Sequence, residues 1–221
     1  VANNKVTLNS SGTCYTLNAN NGNSSSYGKS TYITGNEFTS TSNSSHYVYN
    51  YGYYLDDNRF NNNKVTFNGG TGTQYIYAGY YYTYGGRQFN GNTIRMYGSS
   101  CSQYIYVSYQ YTYGGLEAVG NDIEMAGTSS GSKYIYAGYY YIYDGFKFDN
   151  NKIKMNGTSG SKYIYAGYQY AEDGLSFSGN EIDINTTSGS VNVYGTYYSY
   201  YNTDPVKLNN NKINVNATSS A

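Results

Sequence analysis

A short motif divides the chain into units of nearly constant length: Gly or Asn, then Asn, any residue, and Val, Ile or Phe. NNKVTL, GNTIRM and GNEIDI are three of its eight copies. The second asparagine of each copy is Asn4, Asn36, Asn63, Asn92, Asn121, Asn151, Asn180 or Asn211. Successive copies begin 27 to 32 residues apart, and self-similarity at a period of this size is typical of repeat architectures. We therefore predict a single repeat domain over residues 1–221.

Each repeat contains three short segments in which apolar and polar residues alternate. The first follows the asparagine pair, the second is of the YIY type (Tyr75–Tyr77 and its equivalents), and the third ends in motifs such as RQF and FKF. Alternation with period 2 indicates strands and excludes helical repeats of similar length. We predict an all-β fold, a parallel β-solenoid (β-helix) of about seven rungs. Each rung is expected to hold about 30 residues and three short strands, stacked about 4.8 Å apart.

The first strand of each repeat can be assigned face by face. Its inward pairs are Ile94 with Met96, Ile123 with Met125, Ile153 with Met155, and Ile182 with Ile184. Its outward pairs, rung by rung, are Lys5/Thr7, Glu37/Thr39, Lys64/Thr66, Thr93/Arg95, Asp122/Glu124, Lys152/Lys154, Glu181/Asp183 and Lys212/Asn214. The sign of the charge largely alternates, and like charges opposite one another on a sheet repel. We interpret this ladder as a device that fixes register; a zwitterionic binding strip is the functional alternative.

The asparagines and glycines mark the corners of the predicted coil. Asn tolerates left-handed backbone, and stacked side-chain amides can hydrogen-bond from rung to rung. The glycine that precedes the asparagine in several copies fits a tight corner. A second corner is expected at Gly86, Gly115, Gly145 and Gly174, with Asp204–Pro205 in that role in the last full repeat.

Tyrosine is the dominant residue of the second strand: the chain has 35 tyrosines and no tryptophan. If Ile76 and its equivalents face the core, the flanking tyrosines point outward. The predicted contact face consists of Tyr75, Tyr77, Tyr104, Tyr106, Tyr134, Tyr136, Tyr163 and Tyr165. Stacking of these rings stabilises the sheet, and an exposed aromatic patch of this extent is typical of a surface that meets a partner. The orientation of Tyr80, Tyr82 and Tyr84 stays open, because a corner resets the alternation.

Composition excludes several kinds of partner and site. The chain has 13 basic and 13 acidic residues and no basic stripe, so we expect no nucleic-acid partner and no membrane insertion of this segment. Cys14 and Cys101 lie three rungs apart, too far for a disulfide. With one histidine, His46, there is little material for a Cys/His metal site, and we expect His46 at the surface.

Carboxylates are the remaining candidates for chemistry, since some β-solenoids cleave polysaccharides with two or three converging carboxylates. The candidate pairs are Asp56/Asp57, Asp122/Glu124, Glu172/Asp173 and Glu181/Asp183. Two of these pairs lie on the charge ladder beside lysines. The other two lie at corners of different rungs, where turn chemistry explains them. We predict no enzyme activity, no catalytic residue, no metal and no cofactor.

The repeats NNKVTFNGGTGTQYIYAGY and NNKIKMNGTSGSKYIYAGY resemble the N-x-V-T-I-x-G-G … V-Y-G-G-Y repeats of passenger domains in bacterial autotransporter-type adhesins (type V secretion). The resemblance covers nearly the whole chain, most closely 62–195. It implies a secreted protein displayed on the bacterial cell surface. The Gly-Gly of that family is Ala-Gly or Val-Ser here, and no catalytic residue is carried over.

The leading functional hypothesis is an extracellular structural and adhesive rod with the tyrosine ladder as its contact face. The domain is expected to be uncapped at both ends, with Val6 and Leu8 at one and Ile213 and Val215 at the other. We expect the rod to continue axially, by head-to-tail self-assembly or as a segment of a longer fibre, with lateral bundling as a further possibility. The alternatives are an adhesin domain that binds host or microbial surface glycans and, third, an ice-binding rod.

Overall fold

The computed structural model describes residues 1–21, 29–127, 130–168, 170–197 and 204–218. These residues form 25 strands, numbered here in chain order, and contain no helix. Each sheet collects the equivalent strand of successive repeats, and neighbouring strands pair in parallel. The predicted all-β parallel solenoid of about seven turns is therefore confirmed, with about 29 residues per turn.

The charged sheet contains the first strand of each repeat. Its eight strands are β1 (Lys5–Ser10), β4 (Glu37–Ser42), β7 (Lys64–Asn68), β10 (Thr93–Gly98), β14 (Asp122–Gly127), β18 (Lys152–Asn156), β22 (Glu181–Thr186) and β25 (Lys212–Ala217). The register is the one that the motif predicts, since Ile94 pairs with Ile123 and Met96 with Met125. Equivalent residues therefore form continuous columns along the rod.

The tyrosine sheet contains the second strand of each repeat. Its seven strands are β2 (Cys14–Asn21), β5 (His46–Gly52), β8 (Gln74–Tyr77), β11 (Gln103–Ser108), β15 (Lys133–Gly138), β19 (Lys162–Gly167) and β23 (Val191–Thr196). Ile76, Ile105, Ile135 and Ile164 are fully buried in this sheet, which turns the tyrosines on either side of them outward.

Two further sheets complete the coil. The third sheet contains β3 (Lys29–Thr34), β6 (Leu55–Asn61), β9 (Arg87–Gln88), β13 (Leu116–Val119), β17 (Phe146–Asp149), β21 (Leu175–Ser176) and β24 (Val206–Lys207). The corner sheet contains three two-residue strands between the tyrosine sheet and the third sheet: β12 (Tyr111–Thr112), β16 (Tyr141–Ile142) and β20 (Tyr170–Ala171). This short fourth sheet is an addition to the three strands per rung that the sequence predicts.

The core is a narrow column of apolar side chains between the sheets. The isoleucines and methionines predicted to face inward from the charged sheet are all buried. Opposite them, phenylalanines of the third sheet stack from rung to rung, with centroids 5.5 Å apart for Phe60 and Phe89 and 5.4 Å for Phe148 and Phe177. Cys14 and Cys101 are free and buried.

The asparagine motif forms a continuous hydrogen-bonded ladder inside one corner. The side-chain nitrogen of Asn92 donates to Oδ1 of Asn121 (3.0 Å), and that of Asn121 donates to Oδ1 of Asn151 (2.9 Å). Each of these amides also donates to a backbone carbonyl oxygen, as Asn121 does to Phe89 at 2.8 Å. The left-handed residue is the first of each pair, such as Gly91 (φ 65°) or Asn150 (φ 56°), and not the ladder asparagine itself. Gly and Asn alternate there because they tolerate this conformation best.

Candidate functional site

Among the residues that the structure describes, five columns of stacked tyrosines cover the tyrosine sheet and the corner after it. Column I contains Tyr15, Tyr47, Tyr75, Tyr104, Tyr134 and Tyr163. Column II contains Tyr49, Tyr77, Tyr106, Tyr136, Tyr165 and Tyr194. Column III contains Tyr51, Tyr80, Tyr109, Tyr139, Tyr168 and Tyr197. Column IV contains Tyr54, Tyr82, Tyr111, Tyr141 and Tyr170, and column V contains Tyr84, Tyr113 and Tyr143.

Most rings within a column lie almost parallel at the spacing of the rungs, although Tyr49 is tilted by 40° against Tyr77. In column II the centroid of Tyr106 lies 4.8 Å from that of Tyr77 and 5.0 Å from that of Tyr136, with interplanar angles of 6° and 8°. Column I is equally regular up to Tyr134, whereas Tyr163 turns edge-on to it at 70°. The eight tyrosines of the predicted contact face thus belong to two adjacent stacks.

The corner tyrosines, whose orientation the sequence left open, extend the same surface. Thr83, Thr112 and Ile142 are buried, so columns IV and V on either side of them lie outside. Column III packs edge-on against column II, for example Tyr139 against Tyr136 at 5.0 Å and 89°. The aromatic surface therefore continues around the corner instead of ending with the tyrosine sheet.

Stacking leaves most of these rings half-buried, so the ladder is less exposed than predicted. Tyr165 is only 8% exposed. Burial raises the pKa of Tyr165 to about 12, and burial with neighbouring tyrosines raises the pKa of Tyr77, Tyr106 and Tyr136 further. The hydroxyls stay neutral at physiological pH. Because the ring faces contact the rungs above and below, the columns leave no space between the stacked rings for a sugar.

The charge ladder has the predicted order and is neutralised locally. Glu37 pairs with Lys5 (3.5 Å) and with Lys64 (3.3 Å), and these lysines lower the pKa of its carboxyl. Arg95 Nη2 lies 2.6 Å from Asp122 Oδ2. These side chains are at least partly exposed, so each pair contributes little alone and the pattern mainly disfavours shifted registers.

The candidate catalytic carboxylates do not converge. Asp122 and Glu124 both lie beside Arg95, and Asp57 pairs with Arg59 at 2.7 Å. A groove of about 610 Å³ runs along the glycine corner, and its lining includes Asp144, Asp173 and Asp204 on successive rungs. No group of three His, Cys, Asp or Glu residues among the described residues could hold a metal ion.

An interior polar column, which sequence reasoning missed, begins the first six of the seven strands of the tyrosine sheet. Its members are Cys14, His46, Gln74, Gln103, Lys133 and Lys162. The prediction of a surface His46 is wrong: its side chain is buried, its Nδ1 lies 2.6 Å from Ser40 Oγ, and burial lowers its pKa.

The lysines of this column replace the glutamine amides as donors to acceptors of the adjoining turn or strand. Gln103 Nε2 lies 2.8 Å from the carbonyl oxygen of Met96, and Lys162 Nζ donates to the Gly160 carbonyl oxygen (3.1 Å) and to Thr186 Oγ1 (2.8 Å). Burial and the neighbouring Lys133 lower the pKa of Lys162 to about 8. Every partner is uncharged, which indicates a structural role.

Arg87 is a second buried cation, 2% exposed, at the corner between the tyrosine sheet and the third sheet. Its guanidinium donates to Thr83 Oγ1 (2.6 Å) and to the carbonyl oxygens of Tyr81 (2.8 Å) and Val107 (3.3 Å). Burial lowers its pKa to about 9. It fills the space that the absent side chain of Gly79 leaves, which explains a residue of this size inside a narrow rod.

The two terminal rungs expose part of the core. Ile213 is 44% and Val215 38% exposed, whereas Ile182 and Ile184, one rung earlier, are fully buried. At the other end Val6 and Leu8 are only partly buried.

Comparison with known proteins gives no match to a family model, to a curated protein or to a solved structure. The resemblance to adhesin passenger repeats therefore stays a prediction. Within the described residues, no helix is long and apolar enough to cross a membrane.

Proposed function

We propose that the protein is a structural and adhesive rod that continues axially, with the terminal rung of one copy stacked head to tail on the first rung of another. The observation that carries the proposal is the open rung at β25. Its inward residues Ile213 and Val215 are about 40% exposed, while their equivalents one rung earlier are buried. A strand stacked on β25 would bury them, and full burial of such a side chain is worth about 1.5–3 kcal/mol.

The asparagine ladder favours head-to-tail stacking over head-to-head stacking because it has a direction. In each step the backbone N–H and the side-chain nitrogen of one asparagine donate to Oδ1 of the next, as Asn180 does to Asn211 at 3.0 Å for both bonds. Within the described residues, nothing donates to Oδ1 of Asn4 and nothing accepts from the backbone N–H of Asn211. Stacking β25 on β1 of a second copy gives both groups a partner.

The same geometry predicts that the junction is the weakest point of the assembly. The charged sheet has eight described strands and the tyrosine and third sheets seven each. Pairing β25 of one copy with β1 of the next therefore makes the charged sheet continuous across the junction. In the tyrosine sheet and the third sheet it leaves a gap one strand wide between the two copies. Lys212 would also face Lys5 across the junction, which opposes assembly at low salt. We expect reversible assembly that depends on protein and salt concentration.

The five tyrosine columns are the proposed lateral contact face of the rod. They support contact through ring edges and hydroxyl groups with another extended surface, including a second rod. Binding of glycans by stacking on ring faces is not favoured, because those faces are covered within each column. Display outside the cell is part of the proposal and rests on the resemblance to adhesin repeats.

Sedimentation velocity and electron microscopy test the axial proposal over a range of protein concentrations. We expect rods whose length grows with concentration. Val215→Asp should abolish growth, because it places a charge on the inward face of the open rung. Asn214→Asp is the matched control, since it adds the same charge one residue away on the outward face, and it should assemble. A monodisperse monomer at high concentration, or equal assembly of both variants, would show the proposal to be wrong.

A further inference from the structure

We propose that the tyrosine columns are a site of oxidative cross-linking, in which one-electron oxidation joins tyrosines of adjacent rungs as dityrosine and locks the coil covalently. The observation is the regular contact between phenol rings in successive rungs. In column V, Tyr113 lies 5.4 Å from Tyr84 and 4.8 Å from Tyr143, with interplanar angles of 8° and 3°. Column IV repeats this spacing at 4.8 Å between Tyr82 and Tyr111.

Some tyrosines of the columns are exposed to solvent, and each of them contacts a tyrosine of a neighbouring rung. Tyr15, Tyr84 and Tyr197, which lie at ends of columns I, V and III, are each more than 40% exposed, so a soluble oxidant can reach them. Each exposed ring has its stacking neighbour in place, and ring-to-ring contact allows a radical to move to half-buried members of the column. A second radical in the same column then meets the first on a neighbouring rung.

The reaction balances with an external oxidant of the peroxidase or photo-oxidant class. Two phenols each lose one electron to the oxidant and one proton to water, which gives two tyrosyl radicals. The radicals couple through ring carbons beside the hydroxyls. Each of these carbons then loses its hydrogen as a proton while the oxygen of the same ring takes up a proton, which restores aromaticity and both hydroxyls. With hydrogen peroxide as the terminal oxidant, two tyrosines and one peroxide give one dityrosine and two waters.

Parallel register predicts which tyrosines couple. Partners in one column are separated by 28 to 30 residues along columns IV and V, as Tyr82–Tyr111 and Tyr113–Tyr143 are. Rings two rungs apart are separated by an intervening ring and cannot reach each other. Dityrosine should therefore join adjacent rungs within one chain and should not skip a rung.

Trypsin separates the rungs, since cleavage after Lys64, Arg87, Arg95, Lys133 and Lys147 releases the tyrosines of three rungs in peptides 65–87, 96–133 and 134–147. The full-length protein, diluted until it is monomeric, is oxidised with a ruthenium tris-bipyridyl photo-oxidant and persulfate, and the cross-linked peptides are identified by mass spectrometry. We expect 65–87 joined to 96–133, and 96–133 joined to 134–147. Protein unfolded in urea is the control, and it should also join 65–87 to 134–147.

Substitution of one ring tests the column itself. Tyr113→Phe keeps a stacking ring but removes the oxidisable phenol, so the cross-links of Tyr113 to Tyr84 and to Tyr143 should disappear while those of column IV remain. Tyr97→Phe is the control, because Tyr97 lies on the charged sheet and donates to Glu124 at 3.1 Å. The proposal is overturned if the folded monomer gives no dityrosine, if it joins only two copies of one peptide, or if its pairs match those of the unfolded chain.

Discussion

Alkaline pH should unfold the rod sharply, because the folded state holds tyrosine protons that the unfolded chain releases. Tyr165 has a folded pKa of about 12 against an ordinary value of 10.0. A group whose folded pKa is raised contributes stability that is fully present below its unfolded pKa and is lost as the pH rises through its folded pKa. The window for Tyr165 is therefore pH 10 to 12.

The magnitude follows from this shift. One pKa unit corresponds to about 1.36 kcal/mol, so Tyr165 alone costs the folded state about 1.4 kcal/mol by pH 11. Burial raises the pKa of Tyr49, Tyr77, Tyr106 and Tyr136 above that of Tyr165, and each costs a similar amount at pH 11. The five tyrosines together cost about 7 kcal/mol, which is comparable with the whole unfolding free energy of a typical domain, about 5–15 kcal/mol.

Circular dichroism melts between pH 8 and 12 measure the effect, and near-ultraviolet phenolate absorbance reports the ionisation in parallel. We expect the melting temperature to collapse between pH 10 and 12, with the five buried tyrosines ionising in the same step as unfolding. Tyr165→Phe, which keeps the ring, should reduce the slope of stability against pH by about one proton. If Tyr77, Tyr106 and Tyr136 titrate near pH 10 in a chain that stays folded, the reasoning about their burial is wrong.

Two further substitutions test the ladders. Lys152→Glu with Lys154→Glu would put six acidic side chains on three adjacent rungs, because the two lysines pair in register with Asp122 and Glu124 on one side and with Glu181 and Asp183 on the other. The melting temperature should fall more at low salt than at high salt. An unchanged melting temperature at low salt would contradict the role of the ladder. Asn121→Ala should cost about 3 kcal/mol in a urea unfolding experiment, because it leaves the buried donors of Asn92 and the carbonyl oxygen of Phe89 without partners. The exposed Asn209→Ala is its control, and an equal effect of both would count against the amide ladder.

The sequence predicted the solenoid, the register and the charge ladder because all three follow from period-2 alternation repeated every 29 or so residues. The interior polar column is not predicted when polar residues are assigned to the outer face by residue type. Period-2 alternation puts the residue two positions before an inward isoleucine on the inward face as well. It therefore places Gln103 inside before Ile105 and Lys133 inside before Ile135. The alternation therefore predicts these buried positions, whereas the polar residue types at them suggest the opposite face. The degree of burial of the tyrosines was not readable, since it depends on contact between rings of successive rungs.

In-register stacking also explains which positions are uniform along the rod and which vary. Each residue meets its own equivalent about 4.8 Å away, so a side chain that pairs well with itself can be repeated. Asparagine amides and tyrosine rings pair well with their own kind, and their columns are nearly invariant in this protein. A charged side chain does not, so the charged sheet alternates its signs.

Lys133 and Lys162 break this rule, since they are buried neighbours of like charge in adjacent rungs. Their proximity and burial lower the pKa of Lys162 to about 8, which means that part of the population loses that charge at mildly alkaline pH. Because the pKa of Lys162 is lower in the folded protein than in the unfolded chain, its contribution makes stability rise between pH 8 and 10.5. This effect has the opposite sign to that of the tyrosines and begins at a lower pH. Lys162 therefore adds stability over a pH range that begins below the one in which the tyrosines remove it. The fold tolerates the lysine pair because turn carbonyl oxygens accept hydrogen bonds from both: that of Gly131 from Lys133 and that of Gly160 from Lys162. Turn and strand carbonyl oxygens accept in the same way from the side-chain amides of Gln74 and Gln103, two rungs and one rung before Lys133.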